Sequence, residues 1–294
     1  MISVLSSWGY FAAWRILRWL PEGFAYSSAY KISDAIVKRN GIGVQRFRAN
    51  LARTQPEMTA LDIDLLVYKA MRSMLRYWCD TFRFPDWSAA RIQDTVTTTH
   101  EHLLLDAIAA GKGAIVTLPH VGNYDHAAAY FCAKGAILVT VAERLKPEAL
   151  FKKFMAYRAA FGMEALPLDG RVIPTLALRL RAGCVVALAA DRDLSRSGID
   201  VTFFGGPARM PAGAAILALR TEAPLIYAMV SYTPTGIHID FELVAIPEMG
   251  TQSQRISEIV QNSADLFAQG ISAHPEDWHM MQRIWIDGDF KEST

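Results

Sequence analysis

The sequence predicts an α/β fold: a mostly parallel central sheet flanked by helices on both faces, with a helical N-terminal segment. Three observations predict it. Apolar residues make up 52% of the 294, enough to offset the conformational entropy lost on folding. From residue 95 onward, short β-branched apolar runs alternate with helical stretches, the pattern of β-α-β crossovers. Those runs lack polar alternation, as strands covered on both sides do. No linker, repeat or shift of composition divides the chain, so one unit over 1–294 is expected, with 1–93 its helical part and 95–294 its α/β core.

The elements follow in order. Residues 4–20, VLSSWGYFAAWRILRWL, carry three tryptophans beside Arg15 and Arg18. Both arginines lie late in the apolar run, where a signal peptide would place its positive charge before it, so no signal peptide is expected. A helix of this kind suits the plane of a membrane interface, where cationic stems reach for headgroups. A buried first helix reads equally well from the pattern. Three basic helices are expected next, at SSAYKISDAIVKRNG, VQRFRANLARTQP and LDIDLLVYKAMRSMLRYWCDTF, separated by Gly41, Gly43 and Pro56. Strands are expected at 113–119, 137–142, within EALPL, and at 184–190, with helices at 122–135, 146–162 and 172–183 between them. MPAGAAILALRTE reads as a further helix, and a pair of longer strands and a long helix near 253–273 complete the core.

Composition narrows the function. Lysine and arginine number 30 against 29 aspartates and glutamates, which argues against a nucleic-acid binder, whose footprint is a basic excess. Cys79, Cys132 and Cys184 form no C-x-x-C pair, so neither a disulfide framework nor a thiolate zinc site is indicated, and a reducing, cytoplasmic setting fits. No metal is expected: His100-Glu101-His102 reads as a solvated helix start, and His274 and His279 as structural or surface groups. Gly111-Lys112-Gly113 precedes a strand and lacks the third glycine of a dinucleotide fingerprint, and no P-loop, nucleophile elbow or H-E-x-x-H occurs.

The informative stretch is Leu118-Pro119-His120-Val121-Gly122-Asn123-Tyr124-Asp125. A strand delivers His120 to its carboxyl end, where ligands bind in open α/β sheets, and a helix starts at once. Asp125 is close enough in sequence to fold back, accept from one imidazole nitrogen and leave the other as a general base. With seven histidines and 29 acidic residues the spacing alone arises by chance about as often as not; the strand-end position is what singles out His120. A second strand, 184–190, ends in Asp191-Arg192-Asp193, where carboxylates can orient a histidine or bind a polyol and the guanidinium can hold phosphate. A self-paired salt bridge is the competing reading. Glu143, Arg144 and Arg158 come to the same side of the sheet if the crossovers are right-handed, although Arg158 reads equally as a solvated helix position.

Taken together, His120-x4-Asp125, the later Asp191-x-Asp193, then Phe203-Phe204-Gly205-Gly206-Pro207-Ala208 and Pro211-x-Gly213 resemble the bacterial lysophospholipid and lipid A acyltransferases. Arg76-Tyr77-Trp78, Phe82-Arg83-Phe84-Pro85 and the stretch from His274 to Gln282 are similar to the actinobacterial phosphatidylinositol mannoside acyltransferases. The resemblance covers nearly the whole chain. It implies transfer of a palmitoyl-type acyl group from acyl-CoA, used as a substrate with no cofactor, to a mannose hydroxyl of a phosphatidylinositol mannoside. The setting it implies is the cytoplasmic face of the plasma membrane, held peripherally. His120 would be the general base and Asp125 its partner; Asp193 is the candidate for a further carboxylate assisting the histidine. Glu143, Arg158, Asp191 and Arg192 would bind substrate. A related acyltransferase with another glycolipid or lysophospholipid acceptor or an acyl carrier protein donor, and a catalytically silent lipid-binding protein, are the competing readings.

Overall fold

The computed structural model describes residues 14–143, 148–168, 171–193 and 198–288. Three helices come first: α1 (Glu22–Arg39), α2 (Ile42–Thr54) and α3 (Ala60–Arg83). The Thr59 hydroxyl caps α3 by accepting from the Asp62 amide, satisfying one of the unpaired donors of a helix start. Val37, Val44, Phe47, Leu51, Val67 and Met71 bury a core of their own among these helices. A short α4 (Ala89–Asp94) leads into the sheet region.

The central sheet has seven strands in the order β1-β9-β8-β2-β5-β3-β4. They are β1 (Val96–Thr99), β2 (Ala114–Leu118), β3 (Leu138–Ala142), β4 (Met163–Pro167), β5 (Val185–Ala189), β8 (Leu225–Tyr232) and β9 (Ile237–Leu243). Five are mutually parallel; β9 runs antiparallel to β8 and carries β1 beside it in parallel. Every residue of β2 is buried, which requires cover on both faces. Helices α5 (His102–Ala109), α6 (Tyr124–Ala133) and α7 (Glu148–Ala160) pack on the sheet, as do α8 (Val172–Arg181), α9 (Gly213–Thr221) and α10 (Gln252–Ala273), the last three in contact in succession. A capping box of Thr251 and Gln254 fixes the start of α10.

Two pieces depart from the expectation. Threonine-rich β1 has no apolar run to betray it; it is an edge strand zipped onto β9. The stretch around Phe203-Phe204-Gly205-Gly206 is a two-stranded hairpin of β6 (Ile199–Phe203) and β7 (Gly206–Met210) outside the main sheet. Its tight turn holds Phe204 and Gly205 at φ of 48° and 71°, the left-handed pair that a two-residue hairpin loop demands.

Of the apolar segment 4–20, residues 4–13 lie outside the described residues. The helical turn at 14–19 does two things at once. Trp14 is buried against Phe82, Phe154 and Tyr157, while Ile16, Trp19 and Phe24 are exposed. Arg18 pairs with Asp86 on the loop after α3. Among the described residues no helix is long and apolar enough to cross a membrane.

Candidate active site

The site grows from the carboxyl ends of two neighbouring parallel strands. Their register pairs Leu118 of β2 with Ala189 of β5, so the residues two steps further, His120 and Asp191, face each other across the ladder. The Asp191 Oδ1 lies 2.5 Å from the His120 Nδ1, and its Oδ2 accepts from the His120 backbone N–H at 3.0 Å. A third donor, the Trp278 indole N–H, reaches the same Oδ2 at 2.9 Å. Asp191 is fully buried, whereas the imidazole keeps 36% of its side-chain surface exposed. The ring is thus anchored through Nδ1, and its Nε2 edge has no hydrogen-bond partner among the described residues.

Electrostatics follow from this placement. Burial works against the imidazolium, but the charge of Asp191 and the hydrogen bond to it outweigh that, so the His120 pKa lies above the ordinary 6.5. Burial likewise opposes the Asp191 anion, yet the His120 charge and the donors from His120 and Trp278 hold its pKa below the usual carboxylate range. Both partners favour the ion pair.

The loop between β2 and α6 is clamped from the far end of the chain. A short turn at Pro275–Asp277 leads into Trp278 and His279. There the Gly122 N–H donates to the Asp277 carbonyl at 2.8 Å, the His279 N–H donates to the His120 carbonyl at 2.9 Å, and Val121 bridges Trp278 in antiparallel fashion. Gly122 has φ +50°, and a Cβ there would stand 2.4 Å from the Val230 carbonyl oxygen; only glycine passes. The Asp277 carboxylate accepts from the Ser73 hydroxyl and from the Tyr232 N–H. Ser73 also meets the His279 Nε2 at 2.9 Å. Burial, with the nearby His120, drives the His279 pKa down to about 3.

Asp125 is elsewhere, a correction to the expected pairing. It sits in the first turn of α6, buried, where its Oδ1 accepts from the Arg158 Nε at 3.0 Å and its Oδ2 from the Tyr77 hydroxyl at 3.0 Å. Side chains project outward from a helix, and this one meets Arg158 of α7 and Tyr77 of α3, while the strand-end histidine turns along the sheet toward the end of β5. Arg158 is no solvated position: its guanidinium is 15% exposed and rests on a carboxylate that is 1% exposed. Asp193 is likewise not the carboxylate against the histidine; its Oδ2 accepts from the Gly198 N–H at 3.1 Å, just before β6. Arg192 approaches Glu143 at 3.4 Å and Asp191 serves His120, so these two neighbours are not spent on each other. Arg144 lies outside the described residues.

Two groups escaped the sequence reading. Trp278 and Asp80 are separated from the site in sequence and joined to it only in space. Asp80 of α3 is buried under donors from Tyr26, Asn123 and Tyr232, and burial lifts its pKa despite them. Its helix spacing with Ser73 and Tyr77, on successive turns of α3, is the signal that marks it as part of one polar face.

Comparison with known proteins fits this arrangement. The family described as bacterial lipid A biosynthesis acyltransferase matches residues 1–286. The phosphatidylinositol mannoside acyltransferase of Mycobacterium tuberculosis (strain CDC 1551 / Oshkosh) is 40% identical over 294 residues, covering 98% of this chain and 90% of that protein. The protein of the same description from Mycolicibacterium smegmatis (strain ATCC 700084 / mc(2)155) is 39% identical over 281 residues, covering 95% and 90%. With a match running from the first helices through the clamped histidine to the segment that clamps it, the chain belongs to the bacterial lipid A biosynthesis acyltransferase family and is an acyltransferase.

Proposed function

We propose that this acyltransferase moves a palmitoyl-type group from acyl-CoA to a mannose hydroxyl of a phosphatidylinositol mannoside, with His120 as general base. The observation that carries the reading is the anchored imidazole: Nδ1 held 2.5 Å from a buried carboxylate, on a side chain that itself stays partly open to solvent. The acceptor class comes from the relatives that carry that activity in their names.

The chemistry needs no covalent enzyme intermediate. With Nδ1–H donated to Asp191, the lone pair sits on Nε2, which takes the proton of the acceptor hydroxyl as its oxygen attacks the thioester carbonyl. The C–S bond breaks, the thiolate leaves and the imidazolium returns the proton to it. Asp191 stabilises the imidazolium in between. Arg192 and Glu143, both partly exposed, are the groups we assign to acceptor and donor contacts, and Arg158 to the wall of the site. Exposed Ile16, Trp19 and Phe24 beside Arg15 fit a peripheral seat on the cytoplasmic face of the membrane, where the acceptor resides.

The test is His120→Ala assayed with radiolabelled palmitoyl-CoA and phosphatidylinositol mannoside. Loss of both acyl transfer and acceptor-dependent thiol release, with the melting temperature retained, is the expected result; transfer at the wild-type rate refutes His120 as the base. Replacing the donor by acyl carrier protein thioester, or the acceptor by a lysophospholipid, is expected to lower the rate, and a faster rate with either overturns that part of the assignment.

A further inference from the structure

The carboxylate that serves the histidine is itself held by a side chain 87 residues away in sequence. Trp278 has no exposed surface and packs edge-on to Phe203 and Trp285. A tryptophan buried in an aromatic cluster normally needs some acceptor for its N–H; this one is aimed at the oxygen of Asp191 that does not face the imidazole ring. We propose that Trp278 is a positioning residue for acyl transfer: its indole N–H, with the His120 backbone N–H, fixes the Asp191 carboxylate so that Oδ1 faces Nδ1 of the catalytic imidazole. The inference rests on His120 acting as base.

The geometry gives the indole two separable effects. Held at Oδ2 by two N–H donors, the carboxylate cannot rotate, and Oδ1 stays on the ring nitrogen. The indole also draws off part of the carboxylate charge, so its removal leaves Asp191 a stronger partner for the imidazolium. Among the described residues, the other charged or titratable groups that face the ring are Arg192 after β5, Arg158 of α7, Tyr124 of α6 and His279 of the C-terminal clamp. None of them touches the indole in a hydrogen bond, so Trp278→Phe changes one donor and leaves them in place.

Two measurements decide it. In the wild-type enzyme, the indole N–H resonance of Trp278 is expected to titrate with the same midpoint as the ¹⁵N signals of the His120 ring, because both share one carboxylate. In Trp278→Phe, the His120 midpoint is expected to rise by about one pH unit, and kcat on the alkaline plateau to fall about tenfold with KM unchanged. Trp285→Phe removes an indole from the same cluster whose N–H goes instead to the Phe203 carbonyl, and is expected to leave the midpoint where it was. An indole resonance flat across the His120 midpoint, or a midpoint unmoved in Trp278→Phe, overturns the proposal; the first holds even if the variant fails to fold. A moved midpoint with His120→Ala still active upholds the coupling and removes His120 from the role of base. An unmoved midpoint with His120→Ala inactive does the reverse.

Discussion

Asp191→Asn keeps the shape of the contact with His120 and alters its proton. The amide can donate to Nδ1, which shifts the ring to the tautomer with its hydrogen on Nε2, and a roughly 10²–10⁴-fold drop in kcat is expected, read from initial rates of thiol release. Asp125→Asn acts differently. It leaves the Arg158 guanidinium buried without its counter-charge, so a loss of about 3–5 kcal/mol in folding stability is expected from urea unfolding, while the His120–Asp191 contact is untouched. The pH dependence has a definite sign. The imidazole must be neutral to accept a proton and its pKa is raised, so kcat/KM is expected to fall as pH drops through a midpoint above 6.5; a midpoint at or below that value contradicts the ion pair.

Among the elements, the turn into α6 and the clamp from Pro275 to His279 form one unit, locked by the Gly122–Asp277 and His279–His120 backbone bonds. Gly122→Ala drives a methyl group toward the Val230 carbonyl at a left-handed φ, and a cost of about 3 kcal/mol is expected in chemical denaturation. The helical turn at 14–19 and the start of α1 carry a different prediction: Trp19→Ala with Phe24→Ala, both exposed, is expected to reduce sedimentation with anionic lipid vesicles without changing the melting temperature. This scale also shows what the sequence made legible. Strands β2 and β5 stood out by their unbroken apolar runs, and with them His120 and the Asp191-Arg192-Asp193 segment at their ends. The pairing did not, because spacing along the chain favours Asp125 at five residues while the hydrogen bond spans 71. The strand register supplies that partner, and register is a property of two strands together. Edge strand β1, all valine and threonine, lacks an apolar run, and hairpin β6–β7 pairs outside the main sheet in five-residue strands whose alternation is too brief to stand out from the surrounding polar and glycine residues.

At the scale of the whole molecule, the helical N-terminal part and the C-terminal clamp meet over the sheet. The Asn50 side chain of α2 donates to the Met280 and Gln282 carbonyls, Arg53 pairs with Asp287, and Ser73 of α3 holds Asp277. His126 and His279 are both kept neutral by burial, their pKa values pushed down to about 4 and about 3. Their contribution to stability is fully present above the unfolded value of 6.5 and is lost as the pH falls toward those folded values. Stability is therefore expected to decline from about pH 6.5 downward by a few kcal/mol, measured by urea unfolding at stepped pH, and His126→Gln is expected to flatten part of that slope. Because the bonds that seat His120 come from residues 277–279, the proposed catalytic centre cannot be assembled on a nascent chain before those residues have left the ribosome. A polypeptide released before that point is expected to transfer no acyl group, however much of its sheet has formed.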